Sequence, residues 1–355
     1  MRERPRIGNG VTSAQGVRRA SLFAAAAGLL MLALAGAAHA AEVNLRFTLD
    51  RKFEGPAAPF VLALASGYYK AEGLNVSIDP AANVAEAVKR VASGDYDMGF
   101  ADINVLIKYR DANPKDAVKA VFVVYNRPPF AVIGRKSRGI NTPKDLEGHK
   151  LGAPVDSDSF DLWPIFVKAN GIDASKVTIE NIGFQVRNPM LAAGQVDAIT
   201  GLSYSSYIDL KDRGLPTNDI SVLAMADYGV VLYGGSIIVN PAFAEAHPDA
   251  VKGFLRAFLR GLKKTVASPA SALDRVLERI DSGRKNLELE RLKMVISDNI
   301  ITPEVRANGY GAIDGERFAQ GIDQLTLAYK FKTKPKLDEI FDPSFLPPAT
   351  ERKLN

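Results

Sequence analysis

Residues 59–78 read PFVLALASGYYKAEGLNVSI. Phe60, Val61 and Leu64, with Tyr68 and Tyr69 a turn later, recur at helical spacing; after Gly73 the pattern changes to the alternation Leu74-Asn75-Val76-Ser77-Ile78 of a strand. Gly73 supplies the stop. Upstream, Asn44-Leu45-Arg46-Phe47-Thr48-Leu49 also alternates and runs into a loop, Asp50 to Pro59, that carries Gly55 and Pro56. The order strand, loop, helix, strand predicts a parallel pair joined by a crossover. In an open α/β sheet the loop after the first strand lies at the carboxyl edge, where ligands bind.

At 355 residues the chain has room for two cores, and 24% charged residues with a mean hydropathy of -0.03 describe a soluble globular bulk. The amino terminus differs in kind. Arg18 and Arg19 precede the apolar run Leu22 to Leu34, and Ala38-His39-Ala40 follows ahead of Ala41-Glu42. This is the pattern of an export signal cleaved near Ala40, with residues 1–40 removed; the paired arginines fit either an ordinary signal or a twin-arginine one. The net charge of +5 includes Arg2, Arg4, Arg6, Arg18 and Arg19, so the mature chain is expected to be close to neutral, without a nucleic-acid footprint. No cysteine occurs. An exported chain of this kind has no disulfides and no lipidated cysteine, and the expectation is a protein free in the periplasm. His39, His149 and His247 lie far apart in sequence and match no metal-ligand spacing.

Farther along, Val84 to Ala92 is an amphipathic helix ending at Ser93-Gly94, and Asp97 leads into the short strand Met98-Gly99-Phe100-Ala101. Val121 to Tyr125 and Phe130 to Ile133 read as buried strands on either side of Asn126-Arg127-Pro128-Pro129. A second unit begins near Gly139: a capped turn at Asn141 to Leu146, a strand from Lys150, a helix from Asp158 to Ala169, and a strand from Val177 to Ile182. Ala192-Ala193-Gly194-Gln195-Val196-Asp197-Ala198 then repeats the earlier Ala92-Ser93-Gly94-Asp95-Tyr96-Asp97-Met98, so the two halves carry similar units. Strands follow at Ser221 to Met225 and Gly235 to Asn240, then helices at Pro248 to Val266, Ala270 to Ile280, Leu287 to Ile296 and Gly315 to Tyr329. The proline- and charge-rich segment from Pro335 reads as a tail over the surface. Crossings near Gly134 to Gly139 and Asp227 to Gly234 suggest two lobes: residues 41–135 with 235–355, and residues 136–234.

Gly67-Tyr68-Tyr69-Lys70-Ala71-Glu72-Gly73-Leu74, the Gly94-x-x-Asp97 unit, Pro189-Met190-Leu191 with Gly194-x-x-Asp197, and the helix Pro248-x-x-Val251-x-x-Phe254 resemble the periplasmic solute-binding proteins of ABC importers. The closest branch is the SsuA/THI5-like (NMT1-like) one, with its sulfonate, nitrate and thiamin-pyrimidine binders. The resemblance runs from about Leu45 to Phe345. It implies a bilobal type II α/β fold, with two parallel or mixed sheets flanked by helices and two hinge crossings. It implies a monomer that encloses a small-molecule solute by hinge closure and delivers it to an ABC permease, with no cofactor and no metal. Binders of the thiamin pyrimidine carry an Asn-His pair in the loop before the first helix, where this chain has Pro56-Ala57; the pyrimidine-forming enzymes of the family use that histidine and a cysteine cluster, and this chain has neither. The resemblance therefore implies a receptor and not an enzyme.

Within that fold, ligand contacts come from loops at the carboxyl ends of strands. The candidates in the first lobe are Phe53 and Phe60 from the Lys52 to Phe60 loop, Asp102 and Asn104, and Tyr125 with Asn126. In the second they are Asp156, Ser157 and Asp158 in the stretch to Ser159, Phe184 in the stretch to Arg187, and Tyr204, with Tyr228 at the second hinge. Each has a plainer account beside the binding one: loop packing for Phe53, core for Phe60, a helix cap for Asp102 and for Asp158. Trp163 shares a face with Phe160, Phe166 and Val167 and belongs to the core. Carboxylates at Asp156 and Asp158 oppose the positive end of the following helix, which disfavours a small inorganic anion. Tyr204, Tyr207 and Tyr228 suit stacking on a planar ring. No G-x-S-x-G elbow and no glycine-rich phosphate loop is present. The expected solute is a planar heterocyclic or aromatic molecule. The alternatives are an alkanesulfonate, taurine or nitrate binder and, from another class, a secreted sensor or enzyme.

Overall fold

The structure is a computed structural model that describes residues 1–3, 42–280 and 284–354. The segment read as an export signal falls almost wholly within residues 4–41 and so lies outside the described residues. Residues Val43–Asn355 form one compact unit.

Two five-stranded sheets organise this unit. The first contains β1 (Val43–Leu49), β2 (Leu74–Pro80), β3 (Met98–Asp102), β4 (Lys119–Val123) and β10 (Gly235–Val239) in the order β2-β1-β3-β10-β4. The second contains β5 (Phe130–Arg135), β6 (Lys150–Ala153), β7 (Thr178–Asn181), β8 (Ala198–Leu202) and β9 (Ile220–Ala224) in the order β7-β6-β8-β5-β9. In each sheet three parallel strands are followed by an antiparallel one, β10 or β5, supplied by the chain as it crosses between sheets. The fold is bilobal α/β.

The opening unit forms as its spacing requires. β1 pairs in parallel with β2 from Val43 opposite Leu74 to Leu49 opposite Pro80. The intervening helix Ala58–Ala65 buries Ala58, Pro59, Phe60, Val61 and Ala63. The apolar run is not one continuous helix, because Gly67 takes a φ of 69° and starts a separate turn, Tyr68–Ala71. Phe60 lies 5.0 Å from Phe47 and 4.6 Å from Phe258, and Phe254 stacks on Phe47 at 5.0 Å and on Tyr69 at 4.8 Å. The long helix Pro248–Ala267 thus closes the first core. It can do so because Gly261 meets Pro59: a Cβ there would stand 2.4 Å from the Pro59 carbonyl oxygen.

The internal repeat has a physical basis. Gly94 and Gly194 end their helical segments with φ of 81° and 71°. Asp97 accepts the backbone N–H of Arg46 at 2.7 Å and Asp197 that of Lys150 at 2.9 Å, each tying the loop to the neighbouring parallel strand, β1 or β6. An arginine seals each turn, Arg46 on Gly94 O and Asp97, Arg138 on Gly194 O and Asp197.

Two further features differ from the reading of the sequence. Phe130–Arg135 belongs to the second sheet, so the chain crosses between sheets at residues 124–129, several positions before Gly134. A buried apolar run at a lobe boundary has the same composition on either side, and its pairing alone decides its sheet. The expected helix from Asp158 is two helices, Asp158–Asp161 and Trp163–Asn170, since Pro164 has no N–H for the preceding turn. The crossings themselves are bonded together: Tyr125 N–H donates to Gly235 O at 2.8 Å and Gly234 N–H to Tyr125 O at 2.9 Å. Arg317 clasps both, donating to Asn126 O at 2.7 Å, Leu232 O at 2.7 Å and Val231 O at 3.0 Å while pairing with Glu304 at 2.8 Å.

Candidate functional site

A cavity of about 390 Å³ opens between the two sheets. Its walls are one edge of each sheet. Asp50 and Arg51 follow β1, Phe100 and Asp102 end β3, and Tyr125 follows β4; across the cleft, Ser157 and Asp158 follow β6, Phe184 follows β7, and Leu202 and Tyr204 lie at the end of β8. The antiparallel strands bring their amino ends to the same edges, with Gly235 of β10 and Phe130 of β5. The topology alone therefore gathers these residues.

Five aromatic rings line the space: Phe100, Tyr125, Phe130, Phe184 and Tyr204. Phe100 and Tyr125 meet edge to face at 5.2 Å, a packing that glycine at 235 permits, since a Cβ there would lie 2.3 Å from Phe100. Burial pushes the Tyr125 hydroxyl well above its ordinary pKa. Burial likewise pushes Tyr204 up to about 12, against the field of Arg51, so both remain hydrogen-bond donors at neutral pH.

The carboxyl groups come from opposite lobes. Asp102 caps the helix Ile103–Ala112 and accepts from Asn104 N–H and Nδ2 at 2.9 Å each. Burial pushes its pKa from 3.8 to about 7, against those hydrogen bonds, and the charge of Asp158 adds to the rise. Asp158 is raised as well, by burial and then by Asp161. Two carboxyl groups facing one cavity, each resisting ionisation, suit a ligand that brings N–H donors. Ser157 caps the short helix ahead of Asp158 and lies 3.3 Å from Ser159. Among the cations, Arg51 pairs with Asp50 at 2.7 Å, whereas Arg187 lines the cavity with a buried Nε that has no hydrogen-bond partner.

Six of the residues expected from the sequence therefore meet in the cavity: Asp102, Tyr125, Ser157, Asp158, Phe184 and Tyr204. Phe60 lines a narrow crevice beneath it beside Tyr125 and Tyr204, with most of its ring in the core. Phe53 lies against the first core with Arg279 over its ring at 5.4 Å. Asn104 bonds Asp102 and donates to Tyr233 O at 2.7 Å. Asn126 joins the hinge network, donating to Glu304 at 2.9 Å and accepting from Thr302 at 2.7 Å. Asp156 is exposed, and Tyr228 sets its edge against Phe166 at 6.2 Å. The sequence reading reached Asp50 and Arg51 only as part of the loop after the first strand, and it did not single out Asn83, Phe100 or Phe130. A usable signal existed for Asp50, Arg51 and Phe100, which sit at or directly after a strand end, nearer the sheet than the loop centres.

A family model described as NMT1/THI5 like matches residues 56–272. The chain belongs to the NMT1/THI5-like family. It is 28% identical over 298 residues to the riboflavin-binding protein RibY of Chloroflexus aurantiacus, covering 82% of each chain. It is 27% identical over 268 residues to the formylaminopyrimidine-binding protein of Halalkalibacterium halodurans, covering 74% of this chain and 79% of that one. Its NMT1/THI5-like relatives also include an enzyme by name, the 4-amino-5-hydroxymethyl-2-methylpyrimidine phosphate synthase of Schizosaccharomyces pombe, 29% identical over 212 residues and covering 56% of this chain and 59% of that one. In fold it matches the periplasmic aliphatic sulphonate binding protein SsuA of Escherichia coli, with a TM-score of 0.67 at 16% identity over 86% of this chain and 94% of that one. Named binding proteins and a named synthase thus stand together among its relatives, on the fold of a periplasmic binding protein. No helix among the described residues is long and apolar enough to cross a membrane. His149 and His247 lie away from the cavity, His149 against the Glu147 carbonyl and His247 against Phe243.

Proposed function

We propose that the protein is a periplasmic receptor that captures a small planar, nitrogen-bearing aromatic solute between its lobes and hands it, in the closed form, to an ABC permease. The observation that carries this reading is the cavity itself. Its volume of about 390 Å³ falls in the range of small-molecule sites, its walls present five aromatic rings, and Asp102 and Asp158 face it from opposite lobes. A ring bearing amino or imino hydrogens satisfies both carboxyl groups at once and so favours closure. The binding proteins among its relatives, for a flavin and for a pyrimidine, are in keeping with that solute class. A receptor rather than a synthase is supported by the chain's lack of cysteine and by the placement of His149 and His247 apart from the cavity.

Thermal-shift measurements over pyrimidines, pterins, flavins, aromatic acids and alkanesulfonates test this, together with mass spectrometry of anything released on denaturation. Stabilisation by an aromatic heterocycle is expected. Stabilisation by taurine or nitrate alone would favour an alkanesulfonate or nitrate receptor instead, and no stabilisation by any solute would sink the receptor reading.

A further inference from the structure

We infer that the solute carries an acidic group, a carboxylate or a phosphate, and that Arg187 in the second lobe is its anchor. This rests on the receptor reading and narrows it. Arg187 begins the helix Arg187–Ala192, directly after the loop that carries Phe184, and its side chain lines the cavity. The guanidinium is held in place: the ring of Phe184 lies 5.4 Å from it, and Gly201 leaves room beside it, where a Cβ would stand 3.4 Å from Cζ and 3.5 Å from Nη2. It is positioned, yet among the described residues no carboxylate pairs with it and its buried Nε has no hydrogen-bond partner. Asp209, whose charge favours the cationic form, is already bonded to Asn188 at 2.8 Å and paired with Arg213 at 3.7 Å. Arg51, by contrast, has Asp50.

A cation taken partly out of water without a partner is unfavourable for folding, so the arrangement calls for an anion that the protein itself does not supply. Burial lowers the pKa of Arg187, with Arg51 adding to the effect, but only to about 10, so it stays charged at neutral pH. The flat fork of donors matches a carboxylate or phosphate through two parallel hydrogen bonds. Phe184, 57% exposed, offers a ring face beside that fork, so one planar acid can use both. Asp102 and Asp158 orient the same solute by accepting from its N–H groups.

The test uses matched pairs: nicotinate with nicotinamide, pterin-6-carboxylate with pterin, and FMN with riboflavin. Calorimetry and thermal shift are measured on the parent protein and on Arg187→Met. The acidic member of at least one pair is expected to bind at least about tenfold tighter than its neutral partner, with Arg187→Met abolishing the difference. The carboxylate and phosphate pairs tell the two acid types apart. Ligand-free Arg187→Met is expected to melt above the parent, since an unpaired cation has gone; a structural arginine would shift melting downward. Equal or tighter binding of every neutral partner, an undiminished preference in Arg187→Met, or a lower melting temperature for that variant would each overturn the inference. Tight binding of neutral rings alone leaves the receptor reading standing; failure of all pairs counts against both.

Discussion

Replacing Asp102 by asparagine tests the electrostatics of the cleft most directly. Asparagine keeps the shape and the helix cap, because its Oδ1 accepts the Asn104 N–H as the aspartate does. What it removes is a carboxyl group that burial drives from 3.8 to about 7, against the two Asn104 hydrogen bonds and with a further rise from Asp158. Between those values the folded protein holds a proton that the unfolded chain has lost. The contribution of Asp102 to stability is therefore greatest below 3.8 and falls as pH rises through about 7, where the folded state must accept the buried charge. A displacement of that size corresponds to up to about 4 kcal/mol. Urea denaturation of parent and variant, followed by the fluorescence of Trp163, the single tryptophan, across about pH 4 to pH 8 measures the difference. Taking the difference between the two proteins cancels other carboxylates, such as Asp197 and Asp219, whose lowered pKa values act in the opposite direction. The variant should match the parent near the acid end and exceed it increasingly toward about pH 8. A difference that is flat with pH, or a variant less stable than the parent around pH 8, would refute the placement of a buried, unpaired carboxyl in this cleft.

Four further substitutions separate the frame from the site. Gly261→Ala places a Cβ 2.4 Å from the Pro59 carbonyl oxygen, which cannot yield as a side chain would, so a loss of about 1–3 kcal/mol is expected in denaturation, with solute affinity unchanged. Arg317→Met removes the cation paired with Glu304 and the donor to three hinge carbonyls; with both side chains about four-fifths buried, a loss of about 3–5 kcal/mol and a wider range of lobe separations in small-angle scattering are expected. Tyr204→Ala removes a wall of the cavity and should weaken solute binding about tenfold or more in calorimetry, whereas Phe53→Ala, whose ring packs against the core and Arg279, should alter stability more than affinity.

How much of this was legible in the sequence depends on whether a feature is local. The crossover from β1 to β2 and the glycine stops could be read because helical and strand periods change at Gly73 and because helix ends tolerate Gly94 and Gly194 at positive φ. The sheet to which Phe130–Arg135 belongs could not, since a strand buried on both faces carries no mark of its partner. Asp102, Tyr125, Asp158 and Tyr204 were reachable by the rule that loops at carboxyl ends bind ligands. The same rule also raised Asn126 and Phe53. It cannot tell a residue turned into the cleft from one turned toward the hinge or the core, because that choice is made by distant partners such as Glu304 and Arg279.

The internal repeat sharpens where ligand identity is written. β3 opposes β1 from Met98 and β8 opposes β6 from Ala198, so Asp102 and Asn104 in one lobe occupy the places of Leu202 and Tyr204 in the other. The turns that hold these strands are chemically the same in both lobes: glycine, two residues, aspartate, and an arginine across them. The residues that reach the cavity from equivalent positions are not: an acid with its amide clamp stands on one wall, an apolar side chain and a buried phenol on the other. Selection for a symmetric ligand would give no reason for that divergence. The solute proposed here, with unlike ends, does: its N–H donors would meet Asp102 and Asp158, its ring Tyr125, Tyr204 and Phe184, and its negative charge Arg187. The fold is common to both lobes, and the asymmetry of its edges orients what it binds.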